Sequence, residues 1–125
     1  MEAQQIEEMC ADQAASHGLS IVFRQSNREG EIVDHLQEAR TSGSAVIINP
    51  AGYGHTSIAI LDSIQACGLP VIEVHLSNIH RREPYRNHSY VSKGATGIIM
   101  GLGAQGYVRA VDAVAQILSA KGKKK

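Results

Sequence analysis

No stretch of this 125-residue chain approaches the roughly 20 consecutive apolar residues that a membrane-spanning helix needs. The opening MEAQQIEEM has neither a positive region nor an apolar core, so it does not read as a secretory leader, and a cytoplasmic protein is expected. Charge of one sign is lacking as well. Acidic and basic residues number 12 each, which speaks against nucleic acid as the partner. Cysteine is scarce: Cys10 and Cys67 form no CxxC or other metal-ligand spacing, which excludes a thiolate zinc site. Both fall on apolar stripes of predicted helices, as buried thiols of a reducing compartment do. The closing KGKKK has four lysines and no aromatic, the pattern of a solvated end rather than a nucleic-acid arm. Internal repeats, low-complexity stretches and linkers are absent too, so one domain over residues 1–125 is expected, with a core drawn from 43% hydrophobic residues.

What is present is an alternation of helix and strand signals. Within residues 2–17 the apolar Ile6, Met9, Cys10 and Ala14 keep helical spacing, with Gln13 the exception and Gly18 a stop. Residues 19–24 (LSIVFR) are short and β-rich, and predict a strand. Asn27 then stands as the cap of a second helix striped by Ile32, Val33, Leu36 and Ala39, which ends near Gly43. Residues 45–48 (AVII) are a continuous apolar run closed by Asn49-Pro50, as suits a strand covered on both faces. A third helix is expected from about Thr56 to Cys67, with Ile58, Leu61 and Ile64 inward and Gly68 ending it. Residues 69–74 (LPVIEV) predict another buried strand, 77–93 a polar loop and 97–100 (GIIM) a fourth strand. A last helix over 105–119 carries Tyr107, Val111, Val114 and Leu118 on one stripe. The pattern is that of an α/β doubly wound parallel sheet in three layers. Such a sheet opens on a strand, because its first helix is the crossover of a right-handed βαβ unit. This chain opens on the helix, so the first strand of the expected sheet is missing from it.

Ligands of open α/β sheets sit beyond the carboxyl ends of the strands, so residues just past those ends hold most of the chemical information. After AVII come Asn49, Pro50, Ala51, Gly52, Tyr53, Gly54, His55, Thr56 and Ser57. The glycines let backbone approach a ligand, and His55 and Thr56 stand at a helix amino terminus, where anions are favoured. An ordinary strand-to-helix turn is the alternative. At the next strand end, alternation puts Glu73 and His75 on one side, where a carboxylate can fix the imidazole tautomer and favour its protonated form. His75 is then a natural general acid, with a structural histidine as the alternative. A metal site through His75, His80 and His88 fits no standard zinc spacing. Residues 101–106 (GLGAQG) match GxGxxG after a strand, but a dinucleotide site also needs a further strand and an acidic ribose ligand about 20 residues on. The glycines therefore read as close strand-to-helix packing, with a small-anion role left open. In the loop HRREPYRNH (80–88), Arg81, Arg82 and Arg86 could clamp a carboxylate; a solvated loop or subunit contact is the alternative, above all for Arg81 and Arg82.

In order, RQSNREGEIVDHLQEAR (24–40), INPAGYGHTSIAILDSI (48–64), PVIEVHLSNIHRREPYRNHSY (70–90) and GLGAQGY (101–107) resemble the type II 3-dehydroquinate dehydratases over most of the chain. The resemblance implies a flavodoxin-like fold, a dodecamer of trimers, and no metal or cofactor. It also implies anti elimination of water from 3-dehydroquinate through an enolate to give 3-dehydroshikimate, in aromatic amino acid biosynthesis or quinate catabolism. By motif, Asn49 would hold the water that stabilises the enolate, His75 would protonate the departing hydroxyl, and Glu73 would support His75. The backbone amides of Leu76 and Ser77 would bind the substrate carboxylate, and His55 and Arg86 would hold ring hydroxyls. Asp62 resembles an acidic residue that reaches a neighbouring subunit's site. These roles agree with the chemistry, since elimination beside a ketone needs a stabilised enolate and an acid for the leaving group. The family's opening strand with its GPNLNLLG-like motif, and the loop bearing an arginine and the tyrosine that removes the α-proton, have no counterpart in the sequence. Tyr53, Tyr85, Tyr90 and Tyr107 hold other places in the match. The expectation is a dehydratase lacking its amino-terminal part; the alternative is a catalytically impaired homologue that binds a small anion or serves as a scaffold.

Overall fold

A computed structural model describes residues 3–26, 28–51, 54, 56–81 and 89–122. The amino-terminal stripe winds into α1 (Ala3–Ser16), with Cys10 and Ala14 buried. Next comes α2 (Glu29–Ser42), whose first turn carries Glu29 and Glu31 and whose last carries Arg40, each sign at the helix end that favours it. Its cap position is Arg28, without a side-chain cap; Asn27, the expected cap, lies outside the described residues. Helix α3 (Ile58–Cys67) is capped by Ser57, whose Oγ accepts from the Ile60 amide at 3.0 Å. Helix α4 (Gln105–Gly122) closes the chain's order of elements.

Strands β1 (Val46–Ile48), β2 (Val71–His75) and β3 (Gly97–Met100) form one parallel sheet in that order. Ile48 stands opposite Glu73, and Glu73 opposite Ile98. All five residues of β2 are buried, as befits a central strand covered on both faces. On one face α2 and α3 bring Leu36, Ile60, Ile64 and Cys67 against Ile48, Val71 and Val91. On the other, α4 packs Ala110 and Val114 against Ile72 and Val74, and α1 joins through Cys10 and Ala14, which cluster with Val111 of α4. These are the three expected layers. Full burial of one side chain such as Ile60 contributes about 1.5–3 kcal/mol before chain entropy is charged.

Two expectations are corrected. Residues 19–24 form no strand, although their side chains alternate between half-buried and exposed. Leu19 and Ile21 pack with Cys10, Ala14 and Val111, while Val22 is 70% exposed. A β-rich segment becomes a strand only where it meets a row of backbone donors and acceptors, and among the described residues no strand pairs with residues 19–24. In α3 the inward stripe is Ile60, Ile64 and Cys67, not Ile58, which is 57% exposed. Ile58 is the first helical residue, one position past the Ser57 cap, and it lies off the face on which Ile60, Ile64 and Cys67 enter the core.

Helices α1 and α4 are clasped at Asp112. Its Oδ1 accepts from Gln13 Nε2 at 2.6 Å and meets His17 Nε2 at 2.7 Å, and its Oδ2 pairs with Arg109 at 3.0 Å. The His17 and Gln13 hydrogen bonds hold the Asp112 carboxyl below the usual carboxylate range. Because the folded-state value is depressed, the clasp acts fully above the ordinary carboxylate value and is lost as pH falls through the depressed one. Asp112→Asn should lower the melting temperature at neutral pH and low salt, and much less at high salt, because the clasp is part-exposed and screened. An equal loss at both salt concentrations would show that the clasp is not electrostatic.

Candidate active site

Because the three strands are parallel, their carboxyl ends at Ile48, His75 and Met100 share one rim of the sheet. The turn after β1 is held in an unusual shape. Ala51 has a φ of 51°, a left-handed conformation that costs an alanine about 1–2 kcal/mol. Its amide donates to Asn49 Oδ1 at 3.0 Å, which fixes the turn. At the other end of the same side chain, Asn49 Nδ2 donates to Tyr107 Oη at 3.0 Å. Both ends of the amide are thus anchored, and among the described residues the second Nδ2 hydrogen has no acceptor. Burial pushes the Tyr107 phenol up, so it stays protonated.

Alternation along β2 sends Val71, Glu73 and His75 toward the α2–α3 face. The Glu73 carboxylate is fully buried, at 0% exposure. Its Oε2 is hydrogen-bonded to His75 Nε2, which leaves Nδ1 as the ring nitrogen turned away from the carboxylate. Its Oε1 accepts from Ser92 Oγ at 2.5 Å. Burial alone would raise the Glu73 pKa; hydrogen bonds from His75 and Ser92, the neighbouring Ser89 hydroxyl and the His75 charge outweigh it and hold the carboxyl below the usual range. Ser89 Oγ nevertheless lacks hydrogen-bonding geometry to any described partner, so its help is that of a nearby dipole.

Asn49 and His75 share the rim but leave the sheet by opposite faces, Asn49 toward α4 and His75 toward the α3 side, where Val91 is buried with the α3 core. The turn beginning at Asn49 links the two sides. A side chain at Gly54 would start 3.2 Å from Pro50 Cγ and 3.7 Å from His75 Cε1, and the Gly54 carbonyl accepts from the Tyr90 amide at 2.6 Å. The backbone of Gly54 therefore lies against the imidazole edge.

Leu76 and Ser77 are exposed directly past β2. The carbonyls of His75 and Leu76 accept from Gly101 and Gly103 at 3.2 and 2.9 Å, which ties this backbone to the turn after β3. In that turn Gly106 fits where a Cβ would lie 3.3 Å from Val74 Cγ1 and 3.5 Å from Ile99 Cγ2, a close approach of helix to sheet. Asp62 is exposed on α3. His55 and Arg86 lie outside the described residues, as do His88 and Arg82. Among the described residues no three His, Cys, Asp or Glu side chains gather as metal ligands would, and no helix is long and apolar enough to cross a membrane. Sequence reasoning missed Ser92 and gave Tyr107 only a packing role. Tyr107 has a signal in its place directly after the glycine turn. Ser92 has none, being 19 residues from Glu73 in a loop.

A family described as "Dehydroquinase class II" matches residues 1–115. The "3-dehydroquinate dehydratase" of Streptomyces coelicolor is 54% identical over 116 residues, which cover 92% of this chain and 74% of that protein. The protein of the same description from Streptomyces avermitilis is 57% identical over 113 residues, with 90% and 71% covered. Among solved structures, the type II dehydroquinase of Propionibacterium acnes superposes with a TM-score of 0.86 at 36% identity, covering 91% of this chain and 79% of that one. The chain belongs to the class II dehydroquinase family.

Proposed function

We propose that this chain is a 3-dehydroquinate dehydratase, a hydro-lyase working without metal or cofactor. Family membership and the relatives' shared description support the substrate. The observation that carries the chemistry is the buried Glu73 carboxylate behind His75 at the sheet rim. Loss of the proton next to the substrate ketone gives an enolate. The Asn49 amide, with one hydrogen still to give, orders the water that meets the enolate oxygen. His75 then passes a proton to the departing hydroxyl, which leaves as water, and Glu73 balances the charge of the imidazolium before the transfer. The backbone amides of Leu76 and Ser77 receive the substrate carboxylate, and His55 and Arg86 hold ring hydroxyls. Asp62, exposed on α3, reaches a neighbouring subunit in a dodecamer of trimers, and the enzyme, one domain over residues 1–125, works in the cytoplasm in aromatic biosynthesis or quinate breakdown. No residue of this chain is assigned as the base, and a missing general base lowers the rate about a hundred- to ten-thousand-fold.

The test is direct, because the enone product absorbs in the near ultraviolet and dehydroquinate does not. The purified chain, and a fusion that places the relatives' preceding strand and loop before Met1, are each mixed with dehydroquinate. An absorbance rise is expected at least from the fusion. Silence from both, with a substrate analogue still bound in calorimetry, would replace the enzyme reading with that of an anion-binding homologue.

A further inference from the structure

We propose that Ser92 is a positioning residue, whose hydroxyl keeps the proton of the buried Glu73–His75 pair on the imidazole rather than on the carboxylate. Its use in catalysis rests on the dehydratase reading, but its chemistry does not. Glu73 sits in the central strand with Ile48 opposite on one side and Ile98 on the other. In so apolar a place a carboxylate and an imidazole that hold one extra proton between them favour the neutral pair, because two buried charges are costly to desolvate. Hydrogen bonds to the carboxylate reverse that preference, since they stabilise the anion.

The geometry serves each oxygen separately. Oε2 faces His75, so only Oε1 can take a donor from elsewhere, and Ser92 Oγ supplies it at 2.5 Å. The hydroxyl has one hydrogen to give, and it gives it to Glu73. Ser92 is also held in place. It lies in the short 3-10 turn Val91–Lys93, whose Val91 is fully buried against the α3 core. The turn is tied in front by the Tyr90 amide to Gly54, and behind it Gly94 leaves room for Leu61 and Ile64, whose atoms a Cβ would meet at 3.0 and 3.1 Å. Among the described residues the groups around the pair are otherwise uncharged: Ile48 from β1, Ile98 and Met100 from β3, Gly54 and Pro50 from the first turn, and the Ser89 hydroxyl. Lys93 directs its ammonium to the Tyr90 ring, 5.7 Å from the centroid.

The experiment reads the proton itself. Protein labelled with carboxyl-13C glutamate and 15N histidine is followed by NMR as the pH is lowered until the pair takes up its extra proton. In the wild type and in Ser92→Thr, the Glu73 carboxyl should remain a carboxylate while His75 acquires both ring protons. In Ser92→Ala the carboxyl should take the proton, and His75 should keep only one. Ser92→Cys preserves volume with a weak donor and should behave like the alanine variant, which covers the case of an alanine variant that does not fold. A carboxylate that persists in the alanine or cysteine variant overturns the proposal. Where turnover is measurable, Ser92→Ala should lower kcat about 10- to 100-fold with KM little changed, and Ser92→Thr should restore it. A wild-type protein that passes the NMR test but never turns over would remove the dehydratase reading and leave this one standing.

Discussion

Replacing His75 with glutamine should lower dehydration turnover by about a hundred- to ten-thousand-fold, the range a positioned general acid supplies. The substitution is chosen because glutamine can still donate to Glu73 Oε2 and so spares the buried carboxylate an unpaired oxygen. What it cannot do is hand over a proton. The fall should therefore appear in kcat, read from enone absorbance at saturating dehydroquinate, with KM nearly unchanged because binding falls to other groups. The measurement belongs to whichever form of the protein turns over, the chain alone or the fusion. A fall of less than about tenfold would mean that another group protonates the leaving hydroxyl, and the roles given to Glu73 and His75 would have to be withdrawn together.

How much of this was legible in advance differs between fold and site. Apolar periodicity located α1, α2 and α4 to within a few residues, because each helix buries one stripe, and continuous apolar runs located the three strands. It failed at residues 19–24 for a reason that periodicity cannot contain. Their side chains do alternate, yet strand formation needs a partner strand, and among the described residues none pairs with them. It failed at Ile58 because a helix's first residue shares the stripe's spacing without sharing its contacts.

At the site, spacing alone put Glu73 and His75 side by side, since two residues along a strand always face the same way. Asn49 was visible as a strand-end residue, but its anchoring by Ala51 and Tyr107 was not, and neither was its exit on the face opposite to His75. Ser92 was hidden altogether. It reaches Glu73 only because the Val91–Lys93 turn packs on α3, a tertiary contact with no local signature.

Glu73 should give the largest change in stability and the clearest dependence on pH. Truncation by Glu73→Ala leaves a cavity in β2, strands the Ser92 hydroxyl and leaves a buried imidazole without its counter-charge, at a cost of roughly 3–5 kcal/mol in denaturant unfolding. Glu73→Gln keeps the volume. Its amide oxygen can accept from Ser92 and its N–H can donate to Nε2, which forces the ring proton onto Nδ1, so about 1 kcal/mol is expected instead. The pH dependence follows from the depressed carboxyl. A folded-state value below the ordinary carboxylate value of about 4.3 means that the stabilisation is complete at neutral pH and drains away as pH falls from there through the depressed value. The glutamine variant has no such group to protonate, so its stability should fall less steeply than the wild type's in that window. Salt separates this effect from Asp112, because a carboxylate with no exposed surface is barely screened. If the wild-type and Glu73→Gln curves run parallel in acid at both low and high salt, the Glu73 carboxyl is not depressed in the folded protein, and the hydrogen bonds from His75 and Ser92 do not stabilise its anion.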